Sequence, residues 1–224
     1  MGQPLISKLA AEFIGTFALI FMGVGAVIVG STIVGVSLAH GLTIAIMATA
    51  LGAVSGGQFN PAVTIGLWAT RRMPSLDAVA YILVQLLGGI AAALVLKSAF
   101  PATLTDVANG VPDITGITFF QGVIIEAVLT FFLVLAIFGT AIDKRAPKVG
   151  GFAIGLMITV DILAAGRLTG AAMNPARALG PEVAFGQFDH ALVYWIGPII
   201  GAVLAALIYH YLFLDDAQRA ESVA

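Results

Sequence analysis

The tripeptide Asn-Pro-Ala occurs twice in this chain, at Asn60–Pro61–Ala62 and again at Asn174–Pro175–Ala176. Asn is a favourable N-cap and Pro a favourable first residue, so each tripeptide predicts the start of a helix. A helix N-terminus carries a partial positive charge, and an Asn amide donates hydrogen bonds. Two such ends facing each other repel cations and orient a passing water molecule by its oxygen. The chemistry that these residues indicate is therefore selective passage rather than catalysis.

The two tripeptides belong to an internal repeat with an offset of 114 residues. Glu12 precedes Asn60 by 48 positions, and Glu126 precedes Asn174 by the same 48. Duplicated membrane segments that each contain an interrupted, Pro-containing stretch are typical of a pathway at the centre of a bilayer. The sequence thus predicts one transmembrane channel domain over residues 1–224, with repeat 1 at 1–110 and repeat 2 at 111–224.

The composition is that of a membrane protein. The chain is 60% hydrophobic and 10% charged, with a mean hydropathy of +1.06. Charged residues make up about a quarter of an ordinary soluble domain. With so few of them, most of the surface of this chain must be apolar and face lipid. The net charge of −2 argues against a nucleic-acid partner, and the absence of Cys excludes disulfides and thiolate chemistry.

Six apolar runs are long enough to cross a bilayer as helices. Two shorter apolar segments begin at the Asn-Pro pairs and are predicted to be re-entrant half-helices. Each half holds three spans, an odd number, so the halves insert with opposite orientation and their half-helices meet. The predicted fold is all-α, with six transmembrane helices and two half-helices in an inverted 3+3 repeat. The spans are about Leu9–Gly30, Ile33–Val54, Val79–Leu96, Phe119–Ile142, Val149–Ala165 and Ala191–Leu214, and the half-helices are Pro61–Ala69 and Pro175 to about Gly180.

Basic residues predict the orientation. Seven of the ten Lys and Arg fall on one side of the six predicted spans. By the positive-inside rule that side, with both termini, is cytoplasmic. These residues are Lys8, Arg71, Arg72, Lys144, Arg145, Lys148 and Arg219.

A few polar side chains lie within the predicted apolar segments. Glu12 and Glu126 are interpreted either as a proton relay or as acceptors for the backbone of the re-entrant loops, and their equal spacing favours the second interpretation. Arg177 follows Asn174 by one helical turn and is predicted to line the pore. His40 is either a packed side chain or a pore-lining one. Arg167 is predicted to be an exposed loop residue just past span five. The three His have no metal-ligand spacing, so no metal, cofactor or enzymatic site is expected.

Taken together, these motifs resemble an aquaporin of the major intrinsic protein family, over almost the whole chain. The resemblance implies six tilted helices, two half-helices, one pore per subunit and a homotetramer. The matching motifs are Ala11-Glu12-Phe13, His40-Gly41-Leu42, Ser55-Gly56-Gly57, Asn60-Pro61-Ala62-Val63-Thr64, Glu126 with Thr130-Phe131, Thr169-Gly170 and Asn174-Pro175-Ala176-Arg177.

The resemblance also implies a narrow selectivity filter of four residues, which fall here on His40, Ile162, Ala171 and Arg177. His at the first position and Ile at the second are similar to the tonoplast intrinsic branch, whose members often pass ammonia, urea or hydrogen peroxide besides water. Ala178 after the Arg, and the pair Tyr194-Trp195, favour the water-channel branch over the glycerol branch. Three positions depart from the usual family pattern, namely Gln58, Arg167 and Glu182.

The leading hypothesis is a passive channel that conducts water in single file and excludes protons and ions. A second is a channel whose main cargo is ammonia, urea or glycerol. A third is a proton-coupled transporter that uses Glu12 and Glu126, which the positive helix ends disfavour. A structural junction protein is a fourth, and its short loops offer little adhesive surface. The expected partners are water, small neutral solutes and lipid, and the expected location is a prokaryotic plasma membrane.

Overall fold

A computed structural model describes residues 3–147 and 149–220 of the chain. Lys148, one of the basic residues used above to predict orientation, lies outside the described residues. The secondary structure of the described residues consists of helices joined by loops, without a β-strand. The helices are α1 (Leu5–Ile28), α2 (Ile33–Ser55), α3 (Pro61–Ala69), α4 (Ser75–Ala99), α5 (Ala102–Thr105), α6 (Phe119–Ile137), α7 (Gly150–Thr169), α8 (Pro175–Phe185), α9 (Val193–Ile208) and α10 (Asp216–Ala220), with π-helical turns extending α6 over Phe138–Ile142 and α9 over Tyr209–Phe213.

Six helices in the described ranges are long and apolar enough to cross a membrane. They run for 20 to 25 residues each, with hydropathies between 1.6 and 2.5. This confirms the predicted fold class, although several ends differ. Helix α1 begins at Leu5 rather than Leu9, and α4 begins at Ser75 rather than Val79. Pro4 and Pro74 directly precede these starts, because Pro fits the N-terminal edge of a helix, where no N–H is required.

The two half-helices begin where the sequence predicted. Asn60 caps α3 by accepting a hydrogen bond from the N–H of Ala62 at 2.9 Å, and Asn174 caps α8 by accepting one from Ala176 at 2.9 Å. The predicted end of the second half-helix near Gly180 is wrong, since α8 continues to Phe185. Pro181 lies within it and removes only one backbone donor. The helix is instead terminated after Phe185 by Gly186, whose φ of 71° suits a left-handed cap.

The helices pack in pairs that follow the repeat. Helix α1 packs on α4, α6 packs on α9 in the corresponding place, and α2 packs on α7 between the two halves. The crossing of α2 and α7 depends on two glycines at the repeat offset. A Cβ on Gly155 would lie 2.2 Å from the carbonyl oxygen of Gly41, and one on Gly41 would lie 2.4 Å from that of Gly155. The backbones can therefore approach as closely as they do only without these side chains.

Arg145 and the segment after α9 meet at Asp143, just beyond the π-helical turn of α6. The Asp143 carboxylate accepts hydrogen bonds from Arg145 Nη2 at 2.6 Å, from the hydroxyl of Tyr209 at 3.1 Å and from Gln218 Nε2 at 3.2 Å. The Arg145 guanidinium holds the pKa of Asp143 well below its usual range. These contacts tie the connection between α6 and α7 to the last described helix, α10.

Candidate functional site

The N-terminal ends of the two half-helices are joined by reciprocal hydrogen bonds. Asn60 Nδ2 donates to the carbonyl oxygen of Met173 at 2.8 Å, and Asn174 Nδ2 donates to that of Phe59 at 2.9 Å. Phe59 and Met173 have positive φ angles of 51° and 52°, which is strained for non-Gly residues. Each amide uses one of its two N–H groups in this way, so one donor per Asn is left for another partner.

Glu12 lies behind the first of these ends. Its side chain is fully buried and accepts hydrogen bonds from the N–H groups of Gln58 at 3.0 Å and Phe59 at 2.7 Å. The hydroxyl of Ser55 donates at 2.6 Å and Gln85 Nε2 at 2.8 Å. A loop inside a membrane has no water to satisfy its backbone donors, and here the carboxylate satisfies them.

Glu126 makes the corresponding contacts behind the second end. It is also fully buried, and it accepts from the N–H groups of Ala172 at 2.9 Å and Met173 at 2.7 Å. The hydroxyl of Thr169 donates to it at 2.7 Å. Both carboxylates are thus occupied by the loops that precede the half-helices.

The four predicted filter residues lie around a single narrow cavity. Its volume is about 30 Å³, room for a few water molecules at roughly 10–15 Å³ each. Asn60 and Asn174 line the same cavity, and the other lining residues are mostly aliphatic. The predicted site residues that line it are His40, Asn60, Ile162, Ala171, Asn174 and Arg177.

His40 and Arg177 supply the polar groups at the filter positions. Arg177 is 5% exposed, and its Nη1 donates to the carbonyl oxygen of Gly110 at 2.9 Å. His40 Nδ1 lies 2.9 Å from the carbonyl oxygen of Val36. A carbonyl only accepts, so Nδ1 carries a proton, and in a neutral ring Nε2 is then the nitrogen with the free lone pair. Nε2 is buried and has no hydrogen-bond partner in the described ranges. An imidazole and a guanidinium therefore border the narrow cavity.

A second, wider cavity of about 810 Å³ adjoins the narrow one. Lys8 and Arg72 line it, so it opens toward the face that also bears Arg71 and Arg145, here called the basic face. The two cavities are consecutive sections of one passage because they share lining residues. The shared residues are Gly57, Gln58, Val63, Ile137 and Ile154.

Several residues lie where the sequence did not place them. Arg167 is exposed, as predicted, but it belongs to the last turn of α7 and not to a loop. Glu182 is buried within α8 at 1% exposure. Asp161, next to Ile162 in α7, is 2% exposed, and its Oδ2 has no partner among residues 3–147 and 149–220. Sequence reasoning missed Asp161, although an acidic residue in an apolar span was a visible signal.

Gln58, two residues before Asn60, occupies the junction of the two cavities. Thr64 donates its hydroxyl to Gln58 Oε1 at 2.6 Å, and Gln85 Nε2 donates to Thr64 Oγ1 at 3.0 Å. The side chain of Gln58 is therefore linked through Thr64 and Gln85 to Glu12. Among the described residues, no group of three or more His, Cys, Asp or Glu could hold a metal ion.

Six membrane-length helices surround a narrow cavity, and two Asn-capped half-helices begin at its wall. This arrangement defines a membrane channel. The sequence matches the family described as Major intrinsic protein over residues 3–209. The chain belongs to this family, which is that of the aquaporin channels. It is 41% identical to Aquaporin TIP4-4 of Zea mays, over 93% of this chain and 87% of that one. It is 36% identical to Nodulin-26 of Glycine max, over 99% of this chain and 83% of that one.

The fold is also that of a solved structure, the aquaglyceroporin from Plasmodium falciparum. The TM-score is 0.84, with 93% of this chain and 97% of that chain covered. At a sequence identity of 22%, this likeness shows a shared fold and nothing more. The family and the fold together establish a multi-pass membrane protein that acts as a passive channel.

Proposed function

We propose that this channel conducts water in single file through the narrow cavity and excludes protons and ions. The observation that carries the proposal is the 30 Å³ volume of that cavity, with both Asn amides on its wall. Each amide retains one N–H donor beside its contact across the halves. These donors orient a passing water by its oxygen, which interrupts a chain of proton transfer.

Electrostatics support proton exclusion over proton coupling. The N-termini of α3 and α8 bring two partial positive charges to one place, and Arg177 adds a full charge nearby. The residues lining the narrow cavity include no Asp or Glu within the described ranges. Glu12 and Glu126 are fully buried in contacts with the loops, so we assign them a supporting role. A proton-coupled transporter would need a carboxylate that reaches the passage.

Ammonia is the second candidate cargo, and His40 is the specific reason. Its ring lines the narrow cavity, and its Nε2 is a buried atom with no protein partner in the part of the chain described. Ala171 is small, and the aliphatic Ile162 adds no polar group to the filter. We propose, with the resemblance to the tonoplast intrinsic branch, that ammonia passes through the same filter as water.

Stopped-flow measurements on liposomes test both cargoes. Purified protein is reconstituted, and shrinkage in an osmotic gradient is recorded beside an internal pH dye during an ammonia pulse. Fast shrinkage supports the water channel, and fast alkalinisation in addition supports ammonia as a second cargo. Shrinkage no faster than in protein-free liposomes would overturn the proposal. Fast alkalinisation with slow shrinkage would make ammonia the main cargo.

We propose a homotetramer in a plasma membrane with the basic face toward the cytoplasm, since basic residues concentrate there. The matched relatives from Zea mays and Glycine max are plant proteins, so the prokaryotic source stays a prediction. Cross-linking in native membranes tests the tetramer, and protease access to sealed vesicles tests the orientation.

A further inference from the structure

The His40 ring lies on the backbone of α1 at Gly23. A Cβ built on Gly23 would lie 2.4 Å from His40 Nε2, 2.4 Å from Cδ2 and 2.6 Å from Cε1. All three distances are shorter than real Cβ contacts, and they involve atoms spread around the imidazole. The ring therefore occupies the space that a side chain at position 23 would fill. Gly23 is buried at this contact.

The His40 ring also borders the narrow cavity. His40 lines that cavity, whereas Gly23 does not. The hydrogen bond of Nδ1 to Val36 at 2.9 Å ties the ring to its own helix. With α1 behind it and α2 beneath it, a ring pushed from Gly23 moves into the passage.

We infer that Gly23 is a positioning residue of the filter, because its missing side chain lets the His40 ring lie back from the passage. This inference rests on the proposed function of the same cavity. A methyl group at position 23 would narrow the section between His40 and Arg177. Solutes larger than water would be hindered more than water, since the cavity holds only a few water molecules.

Two other glycines separate this role from ordinary helix packing. A Cβ on Gly25 would meet only Leu96 Cδ2 at 3.4 Å and Phe100 at 3.7 Å, which is ordinary contact. A Cβ on Gly122 of α6 would lie 2.9 Å from Ile114 Cγ2, and neither Gly122 nor Ile114 lines the narrow cavity. Gly25→Ala is thus a control without a clash, and Gly122→Ala is a control with a clash away from the filter. Ala is a better helix former than Gly, so helix propensity does not disfavour any of these changes.

The experiment compares Gly23→Ala with both controls in liposomes, using water, ammonia and urea as probes. We expect Gly23→Ala to lower water permeability by about tenfold, because the displaced ring narrows the passage; this corresponds to about 1.4 kcal/mol added to the barrier for passage. The ratios of ammonia and urea to water permeability should fall as well. Gly25→Ala should match the wild type, and Gly122→Ala should lower thermal stability without changing these ratios.

The double variant Gly23→Ala with His40→Ala decides whether Gly23 acts through the ring. Its permeabilities should equal those of His40→Ala alone, and if Gly23→Ala folds poorly, the second change should restore folding. The inference would be overturned if Gly23→Ala kept the wild-type ratios of ammonia and urea to water permeability. It would also be overturned if the permeability loss of the double variant equalled the product of the losses in the two single variants. If the wild type itself fails to conduct, the proposed function fails. A cryo-EM structure of Gly23→Ala then decides the inference, which an unmoved His40 ring would overturn.

Discussion

Glu12 in the first half and Glu126 in the second accept hydrogen bonds from residue pairs that correspond to each other under the repeat offset of 114 residues. Gln58 and Phe59 donate backbone N–H groups to the former, as Ala172 and Met173 do to the latter, with distances that agree within 0.1 Å. The reciprocal contacts of Asn60 and Asn174 differ by the same small amount. The duplicated sequence thus gives a duplicated support for the half-helices.

The walls of the passage differ between the same two halves. Shifting each filter residue by the repeat offset exchanges His40 with Ile154, Ile162 with Ala48, Ala171 with Gly57 and Arg177 with Val63. The second set has no polar side chain, and all four of its members line the 810 Å³ cavity on the basic face, three of them at its junction with the narrow cavity. The comparison teaches that duplication provides the scaffold, while divergence at four positions gives the polar groups of the proposed filter to one set only.

The largest effect is expected from removing either supporting carboxylate. Glu126→Ala leaves the N–H groups of Ala172 and Met173 without an acceptor in a region without water. Each buried unsatisfied donor costs about 1–3 kcal/mol, so the loss should be about 3 kcal/mol or more. Thermal unfolding in detergent and the yield of folded protein measure it. Glu12→Ala should be as severe, and a folded, fully stable variant of either kind would refute the shared support.

The next largest effect concerns the filter. Arg177→Val gives position 177 the residue that its counterpart, Val63, already has. Without the guanidinium, urea and proton permeability should rise by at least about tenfold, or about 1.4 kcal/mol in the barrier. Stopped-flow assays in liposomes measure both. Arg167→Val removes an exposed Arg that lines neither cavity and serves as the control, which should leave selectivity unchanged. Unchanged leakage in Arg177→Val would contradict the assignment.

A smaller effect should distinguish the two supports from each other. Gln85 Nε2 donates to Glu12 Oε2 at 2.8 Å, and the residue one repeat later is the apolar Ile199. Gln85→Leu should lower the free energy of unfolding by about 1 kcal/mol, the usual net contribution of one hydrogen bond. Ile199→Leu keeps volume and serves as the control. Equal stability of the two variants would mean that the first half does not depend on this extra donor.

The smallest effect is expected at Asp143, whose counterpart in the first half is Val29. Its depressed pKa means that the folded state favours the charged carboxylate. The resulting stability is present above the ordinary Asp pKa of 3.8 and is lost as the pH falls through the depressed value. Asp143→Asn should therefore lower the melting temperature slightly at neutral pH, and the difference should shrink in acid. A difference that is independent of pH would point to lost packing instead.

Much of the architecture could be predicted from sequence because it depends on local signals. The length of the apolar runs predicted the six membrane spans, and the Asn-Pro pairs predicted where both half-helices begin. The end of α8 could not be predicted, since Pro181 is tolerated where Gly186 later provides a cap. The contacts of Gln85 with Glu12 and of Gly23 with His40 depend on how helices pack, which the spacing within one helix does not encode.

The most direct test of the central claim is to measure water and proton permeability in one preparation of wild-type proteoliposomes. Osmotic shrinkage gives the first, and the decay of an imposed pH gradient in the presence of valinomycin gives the second. We expect shrinkage well above that of protein-free liposomes, with a pH gradient that decays no faster than in them. Water conduction accompanied by a matching proton leak would contradict the account of the paired half-helices and Arg177.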